Sequence, residues 1–202
     1  MATPNVEYGV KDIKTLEGME AIRTRPGMYI GAVDAEGVWQ ITLEIISNAV
    51  DEYLVGACDR ISVVCDGPRV IVADNGRGVP FGKNDEGEEV LVNVYTKLHT
   101  GAKFDSDGNS GYNTSGGMNG VGAKATNALS NLFSVQTFRD GKVAYALFSE
   151  GQLVKYEVRK RDPKKFMGDD REHGTVVQFI PDPKIFDGAE AGIIADAARM
   201  RS

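Results

Sequence analysis

Residues 39–54 read WQITLEIISNAVDEYL, and the fold follows from the two stripes this stretch carries as a helix. At ~100° per residue, Glu44, Asn48, Asp51 and Glu52 fall within about 100° of arc. Trp39, Leu43, Ile46, Val50 and Leu54 form a second stripe roughly opposite. One face is expected to pack and the other to meet water or do chemistry. For the helix taken alone, a solvated polar face is the simpler reading. Against it, Ile41 and Ile45 lie on the side of the carboxylates, so the polar stripe is expected to border a partly enclosed cavity. Gly56 is placed to stop the helix.

On the N-terminal side, residues 1–12 have no periodicity and read as an arm. KTLEGMEAIRTRPGMYIG (residues 14–31) predicts a short helix through Leu16, Met19, Ala21 and Ile22, ended by Pro26 and Gly27. On the C-terminal side, Ile61 to Cys65 and Val70 to Ala73 are β-branched runs around the turn Asp66-Gly67-Pro68, which predicts two paired strands. The second strand runs into Asp74-Asn75-Gly76-Arg77-Gly78-Val79-Pro80, a glycine-rich turn where a small ligand can approach the backbone.

Val90 to Leu98 is spaced as a helix. From His99 to Asn119 the chain is rich in Gly and Ser and too long for a simple connection, which favours a lid or functional loop. It ends in Ser115-Gly116-Gly117-Met118-Asn119-Gly120-Val121-Gly122, followed by AKATNALSNLF, read as a helix. Residues 133–160 alternate with turns at Asp140-Gly141 and Glu150-Gly151, an antiparallel meander. Residues 174–181 return as a strand, and residues 189–202 begin a helix without a cap. This order of elements predicts an α+β two-layer sandwich, with helices on one face of a mixed, mostly antiparallel sheet.

The chain has 202 residues, 42% hydrophobic and 26% charged, enough for one substantial domain or a domain and the start of another. It contains no run of about 18 apolar residues and no basic-then-apolar start, so neither a membrane span nor a signal peptide is expected, and a cytoplasmic location is. Cys58 and Cys65 lack metal-ligand spacing and read as buried thiols. With His99 and His173 they make no usual metal cluster. A net charge of −6 argues against a broad nucleic-acid-binding surface on this segment, though not against a local basic patch.

Several groups point to nucleotide chemistry together. Closely spaced glycines ahead of a helix let backbone N–H groups converge on an anion such as phosphate; the pattern is neither a Walker A motif nor a Rossmann fingerprint. Asp74 at a strand end can accept from the exocyclic amine of a base, or simply close an Asx turn. Asn48 offers a neutral oxygen to a hard cation such as Mg²⁺. Glu44, one turn earlier, can polarise a water, and a positioned general base is worth about 10²- to 10⁴-fold.

Taken in order, LEIISNAVDE, DNGRGVP, TSGGMNGVG and HGTVVQF resemble the ATPase fold, GHKL or Bergerat, shared by gyrase, the ninety-kilodalton heat-shock chaperones, histidine kinases and MutL. More narrowly, RTRPGMYIG, LHTGAKF and TNALS are similar to the B subunits of DNA gyrase and topoisomerase IV, in the type IIA topoisomerase family. The resemblance runs from about Tyr8 to Pro181. It implies that Glu44 is the general base for ATP hydrolysis and Asn48 the Mg²⁺ ligand. Asp74 would bind the adenine amino group, with Thr175 assisting through a water. Gly78, Val79 and Pro80 would line the adenine pocket beside Arg77. Gly117, Asn119, Gly120, Val121 and Gly122 would cradle the phosphates, with Lys103 and Tyr112 from the lid. Asp51, counted with the cofactor-binding side chains, and Glu52 would orient water, the lid or Arg77.

The same resemblance implies a dimerisation arm over residues 1–14, carrying Tyr8 and Ile13 to a second copy when ATP is bound, and an ATP-binding domain over 15–202. The transducer domain is expected to lie outside these residues, and the chain to be part of something longer. The partners implied are a DNA-cleaving A-type subunit or fused cleavage domain, duplex DNA through the whole enzyme, and aminocoumarin-type inhibitors. The chain departs from the family at Ser47, where Asp is frequent, at Asn119 in place of His, and at Asn113 in place of a lid Lys. Arg139 matches an arginine that contacts coumarins. A MutL-like or chaperone-like clamp, or a nucleotide-sensing module, is the alternative; RPGMYIG argues against the first.

Overall fold

A computed structural model of the chain describes residues 18–98, 121–161 and 172–186. The arm at 1–14, the lid and most of the glycine-rich stretch at 99–120, and the helix expected after residue 188 lie outside these residues. Helices α1 (Gly18–Thr24), α2 (Gly27–Ile30) and α3 (Ala35–Leu54) come first, then strands β1 (Ile61–Asp66) and β2 (Arg69–Asp74). After α4 (Val90–Thr96) and α5 (Gly122–Ala128) come β3 (Ser130–Arg139), β4 (Lys142–Ser149), β5 (Gln152–Lys160) and β6 (Gly174–Pro181).

The strands form one six-stranded sheet in the order β1-β2-β6-β3-β4-β5, and every neighbouring pair is antiparallel. Register explains both core and site. Val70, Phe179, Phe133 and Phe148 align across four strands, as do Val72, Val177, Val135 and Ala146. Residues in register point to one face, and here all are buried against Ile22, Val38, Ile41, Ile45, Leu91, Ala125 and Leu129 from the helical layer and its connections. The next row is Asp74, Thr175, Thr137 and Ala144. The sheet face therefore turns from apolar to polar at one end, and the polar row is buried.

Helix α3 begins earlier than its apolar spacing suggests because Asp34 caps it, its side chain accepting from the Glu36 N–H at 2.9 Å. Its packed face also differs from expectation. The buried residues are Gly37, Val38, Ile41, Thr42, Ile45 and Ala49. Positions 38, 41, 45 and 49 are themselves an unbroken helical stripe, and the small residues at 37 and 49 let the helix lie close to its neighbours. Trp39, Leu43 and Ile46 are half-buried flanks, while Val50 and Leu54 are 37% and 61% exposed. Glu44 and Asn48 thus lie beside the packed stripe rather than opposite it.

Three further expectations are corrected. Pro26 does not only end α1: its φ of −58° starts α2 directly. The helix read through Phe133 stops at Ala128, because residues from Ser130 pair with β6 and place Phe133 between Phe179 and Phe148; tertiary pairing overrides the apolar spacing. Cys58 is buried as expected, but Cys65 is exposed, since β1 is an edge strand with almost no covered residue.

An ion-pair anchor ties the first helix to the end of the last strand. Arg23 Nη1 donates to the Ala128 carbonyl at 2.7 Å, and Nη2 to Asp182 Oδ2 at 2.6 Å. Nη2 also lies 3.2 Å from Glu150. Asp182 is 1% exposed, so this arginine supplies the counter-charge a buried carboxylate requires.

Candidate functional site

The polar row at the end of the sheet meets the polar edge of α3. Asp74 is 7% exposed, and its Oδ1 accepts from the Gly76 N–H at 2.8 Å and the Thr175 N–H at 3.2 Å. The Asx turn considered from sequence is therefore present, and it orients the carboxylate. Asn75 secures the other side of the turn: its Oδ1 accepts from the Asp59 and Arg60 N–H groups at 3.1 and 2.9 Å, and its Nδ2 donates to Asp59 at 2.7 Å. The Val79 carbonyl accepts from Thr137 Oγ1 at 2.9 Å. Gly174 has φ +127°, and a Cβ there would lie 2.2 Å from the Asp74 carbonyl oxygen, so only glycine lets β6 start this close to the turn.

Arg77 is fastened to α3. Its backbone N–H, Nε and Nη2 donate to the Glu52 carboxylate at 2.9, 3.0 and 2.7 Å. Burial pushes the Glu52 carboxyl up, but the hydrogen bonds and charge of Arg77 outweigh it and hold it below the usual value. Two turns back on α3, Glu44 is half-buried. Its Oε1 accepts from Gln40 Nε2 at 3.0 Å, and its Oε2 faces Gly122, the first residue of α5. Asn48 is exposed between these two carboxylates along the helix, and Asp51 is half-buried.

The structure thus gathers Asp74, Thr175, Gly78 and Val79 around one turn, brings Arg77 to Glu52, and sets Gly122 against Glu44. Val121 is the residue preceding α5, and Pro80 is exposed. Lys103, Tyr112, Gly117, Asn119 and Gly120 lie outside the described residues. A separate cleft of about 670 Å³ is lined by Arg77, Arg139, Arg161 and His173, with Ala57, Asp140, Gly141 and Glu172. It shares Arg77 with the site but contains neither Glu44 nor Asp74.

Four residues here escaped the sequence reading. Gln40 sits four residues before Glu44 on the same stripe, a spacing that could have revealed it. Thr137 offered no signal apart from strand alternation. Tyr95 is 5% exposed, with its ring 5.3 Å from that of Phe133; burial, then the charge of Asp74, raises its hydroxyl pKa. Lys124, 2% exposed, follows Gly122 by two residues, and burial lowers its amine to about 8. A lone lysine inside AKATNAL was its only mark.

A buried strand-end carboxylate, a helix bearing a carboxylate and an amide one turn apart, and a glycine pressed against that carboxylate thus meet at one end of an α+β fold. A family model described as histidine kinase-, DNA gyrase B- and HSP90-like ATPase matches residues 33–185, and the chain belongs to that family. It is 43% identical over 203 residues to the B subunit of DNA gyrase from Archaeoglobus fulgidus, covering 97% of this chain and 30% of the relative. It is 38% identical over 198 residues to the B subunit of DNA topoisomerase 4 from Mycoplasma capricolum, covering 98% and 29%. Among solved structures, the 43K ATPase domain of Thermus thermophilus gyrase B in complex with an aminocoumarin superposes with a TM-score of 0.72 at 34% identity, over 91% of this chain and 44% of that one. The six-stranded antiparallel sheet with its helices is the fold of that ATPase domain. The chain spans 30% or less of the length of these curated relatives.

Proposed function

We propose that this chain is the ATP-binding and ATP-hydrolysing domain of a type IIA DNA topoisomerase of the gyrase B or topoisomerase IV B kind. The observation that carries the reading is the seat of Glu44: a carboxylate held by Gln40 and pressed on the glycine that opens the helix after the glycine-rich stretch. Glu44 is the general base that takes a proton from the attacking water. Asp74 accepts from the adenine amino group, and Thr175 assists through a water. Gly78, Val79 and Pro80 line the base. Gly117, Asn119, Gly120, Val121 and Gly122, with Lys103 and Tyr112, hold the phosphates. Asp51 supports the site from the next turn of α3.

The residues present fit a magnesium nucleotide. Among the described residues no three His, Cys, Asp or Glu side chains converge as a metal site. Mg²⁺ that reaches a protein with its nucleotide needs only one or two side-chain oxygens, the remaining positions going to phosphate and water. Asn48 would be that ligand, and the ion when bound would supply charge neutralisation at the phosphate.

In the longer protein, ATP binding would dimerise two copies through residues 1–14, and hydrolysis would reset them while duplex DNA passes a break made by an A-type subunit or a fused cleavage domain. Arg139 is the residue toward which an aminocoumarin would bind, with Ser47 altering its contacts. Among the described residues no helix is long and apolar enough to cross a membrane; we place the work in the cytoplasm. The 202-residue chain is expected to bind Mg-ATP, to turn it over poorly and to be mainly monomeric.

Glu44→Ala tests the assignment. ATP binding should survive in the chain while hydrolysis by the full-length protein is lost. Unchanged hydrolysis would remove Glu44 as the base.

A further inference from the structure

The peptide unit joining Gly76 to Arg77 has both of its polar groups taken by side chains from different layers. Its carbonyl oxygen accepts from His173 Nδ1 at 2.7 Å, just ahead of β6. Its N–H donates to Glu52 Oε2 at 2.9 Å, on α3. In a planar trans peptide these groups point in opposite directions, so the two side chains grip the unit from opposite sides. The carbonyl requires the imidazole to present Nδ1–H. Rotation of the unit breaks both bonds, and polarisation of a peptide by a carboxylate at one end strengthens the acceptor at the other.

The adjoining bonds show how the rest of the turn is held. The Gly76 N–H is already fixed by Asp74 Oδ1, and the backbone beyond the turn by Thr137 at Val79. Between these anchors lie the Gly76–Arg77 unit and the two that follow it. The Gly78 carbonyl meets only Arg139 Nη1 at 3.5 Å among the described residues, whereas the Gly76–Arg77 unit, which leads into Arg77, is held from two layers. His173, Gly174 and Thr175 are consecutive, and each meets the turn: by its ring, by a backbone approach that leaves no room for a Cβ, and by its N–H.

We propose that His173 and Glu52 form a two-sided clamp on the Gly76–Arg77 peptide, with His173 a positioning residue for the base-side turn. Its binding role rests on the nucleotide reading above; the clamp itself does not. His173 touches no reacting atom. It acts by keeping Gly78 and Val79 where an adenine would meet them and Arg77 hooked on Glu52.

The test compares H173A, H173N and H173Q in the 202-residue chain. Asn carries its amide nitrogen on Cγ, as His carries Nδ1, whereas Gln sets it one bond further out. Two readouts are taken: hydrogen exchange of the Arg77 amide without nucleotide, and the Kd for a non-hydrolysable Mg-ATP analogue. H173A and H173Q should speed Arg77 exchange and weaken binding about three- to tenfold, the size of one neutral hydrogen bond. H173N should restore both, and the melting temperature should barely move, since His173 is exposed. Because either side chain alone can free the peptide, E52Q combined with H173A should cost less affinity than the product of the two single losses.

Unchanged Arg77 exchange in H173A would overturn the clamp. Faster exchange with unchanged Kd, or strictly multiplicative losses in the double variant, would overturn the positioning role. A wild-type chain that binds no adenine nucleotide would instead overturn the nucleotide reading, and the binding role with it, while the exchange data still decide the clamp.

Discussion

The Glu44 carboxylate lies against the α-carbon of Gly122, so that a Cβ at residue 122 would sit 1.8 Å from Oε2 and 2.5 Å from Cδ. The obstacle is the far end of a flexible side chain, and an alanine is accommodated by swinging the carboxylate away. Gly122 opens α5 without a positive φ, and alanine favours a helix over glycine by about 0.5–1 kcal/mol. Gly122→Ala should therefore melt no lower than wild type while hydrolysis by the full-length protein falls by about 10²- to 10⁴-fold, the worth of a positioned base. Phosphate release and thermal melting measured together check it; normal turnover would mean that Glu44 does not act from this seat.

Gly174→Ala should behave in the opposite way. The Cβ would lie 2.2 Å from the Asp74 carbonyl oxygen and 2.9 Å from the Asn75 α-carbon, at φ +127°. Both obstacles are backbone, so β6 and the turn must part. Strain and overpacking together should cost about 2–5 kcal/mol, read as a lower urea midpoint. An unfolding free energy within about 0.5 kcal/mol of wild type would show that β6 does not start where described.

Arg23 and Asp182 give a pH signature. Burial pushes the Asp182 carboxyl up, and the hydrogen bonds and charges of Arg23 and Lys184 outweigh it, leaving the pKa lowered. A folded pKa below the unfolded one means that the unfolded chain takes up the proton first as pH falls. The stabilisation is therefore complete above about pH 4 and is lost as pH falls through the folded value. Arg23→Met should destabilise by about 2–4 kcal/mol at pH 7, because it strands a buried charge. The gap to wild type should narrow as pH falls, beginning above about pH 4 because burial without Arg23 raises the Asp182 carboxyl in the variant. A gap independent of pH would assign the effect to packing of the arginine stem.

The strands, hairpin turns and site turn were legible because each rests on local chemistry. Asp140-Gly141 and Glu150-Gly151 have positive φ at both positions, as two-residue hairpins demand, and the Asx turn at Asp74 closes within three residues. What was not legible depends on partners distant in the chain. Cys65 is exposed because β1 has a neighbour on one side only, and the helix after Gly122 ends early because Phe133 meets Phe179 and Phe148. On α3 two helical stripes were available, and the sheet selected 38–41–45–49 over the one with larger side chains. The same limit hid His173: its motif was visible, but its contact with a carbonyl 97 residues away needs the β2–β6 register.

Lys124 offers a test of the buried edge of the site. Its amine, lowered by burial to about 8, titrates near 10.4 in an unfolded chain. Between these values the unfolded state binds more protons, so stability rises with pH in that window. Below pH 8 the amine is charged in both states, and its burial costs up to about 3 kcal/mol. Lys124→Met cannot titrate, so the stability of wild type relative to K124M should improve by about 2–3 kcal/mol from pH 8 to pH 10.5. Urea midpoints across this range measure it. A triphosphate on the neighbouring glycine-rich stretch would favour the ammonium, so saturating Mg-ATP analogue should flatten the slope. Parallel curves for wild type and K124M without nucleotide would show that the amine reaches solvent, whereas a slope that nucleotide leaves untouched would put the phosphates beyond its reach.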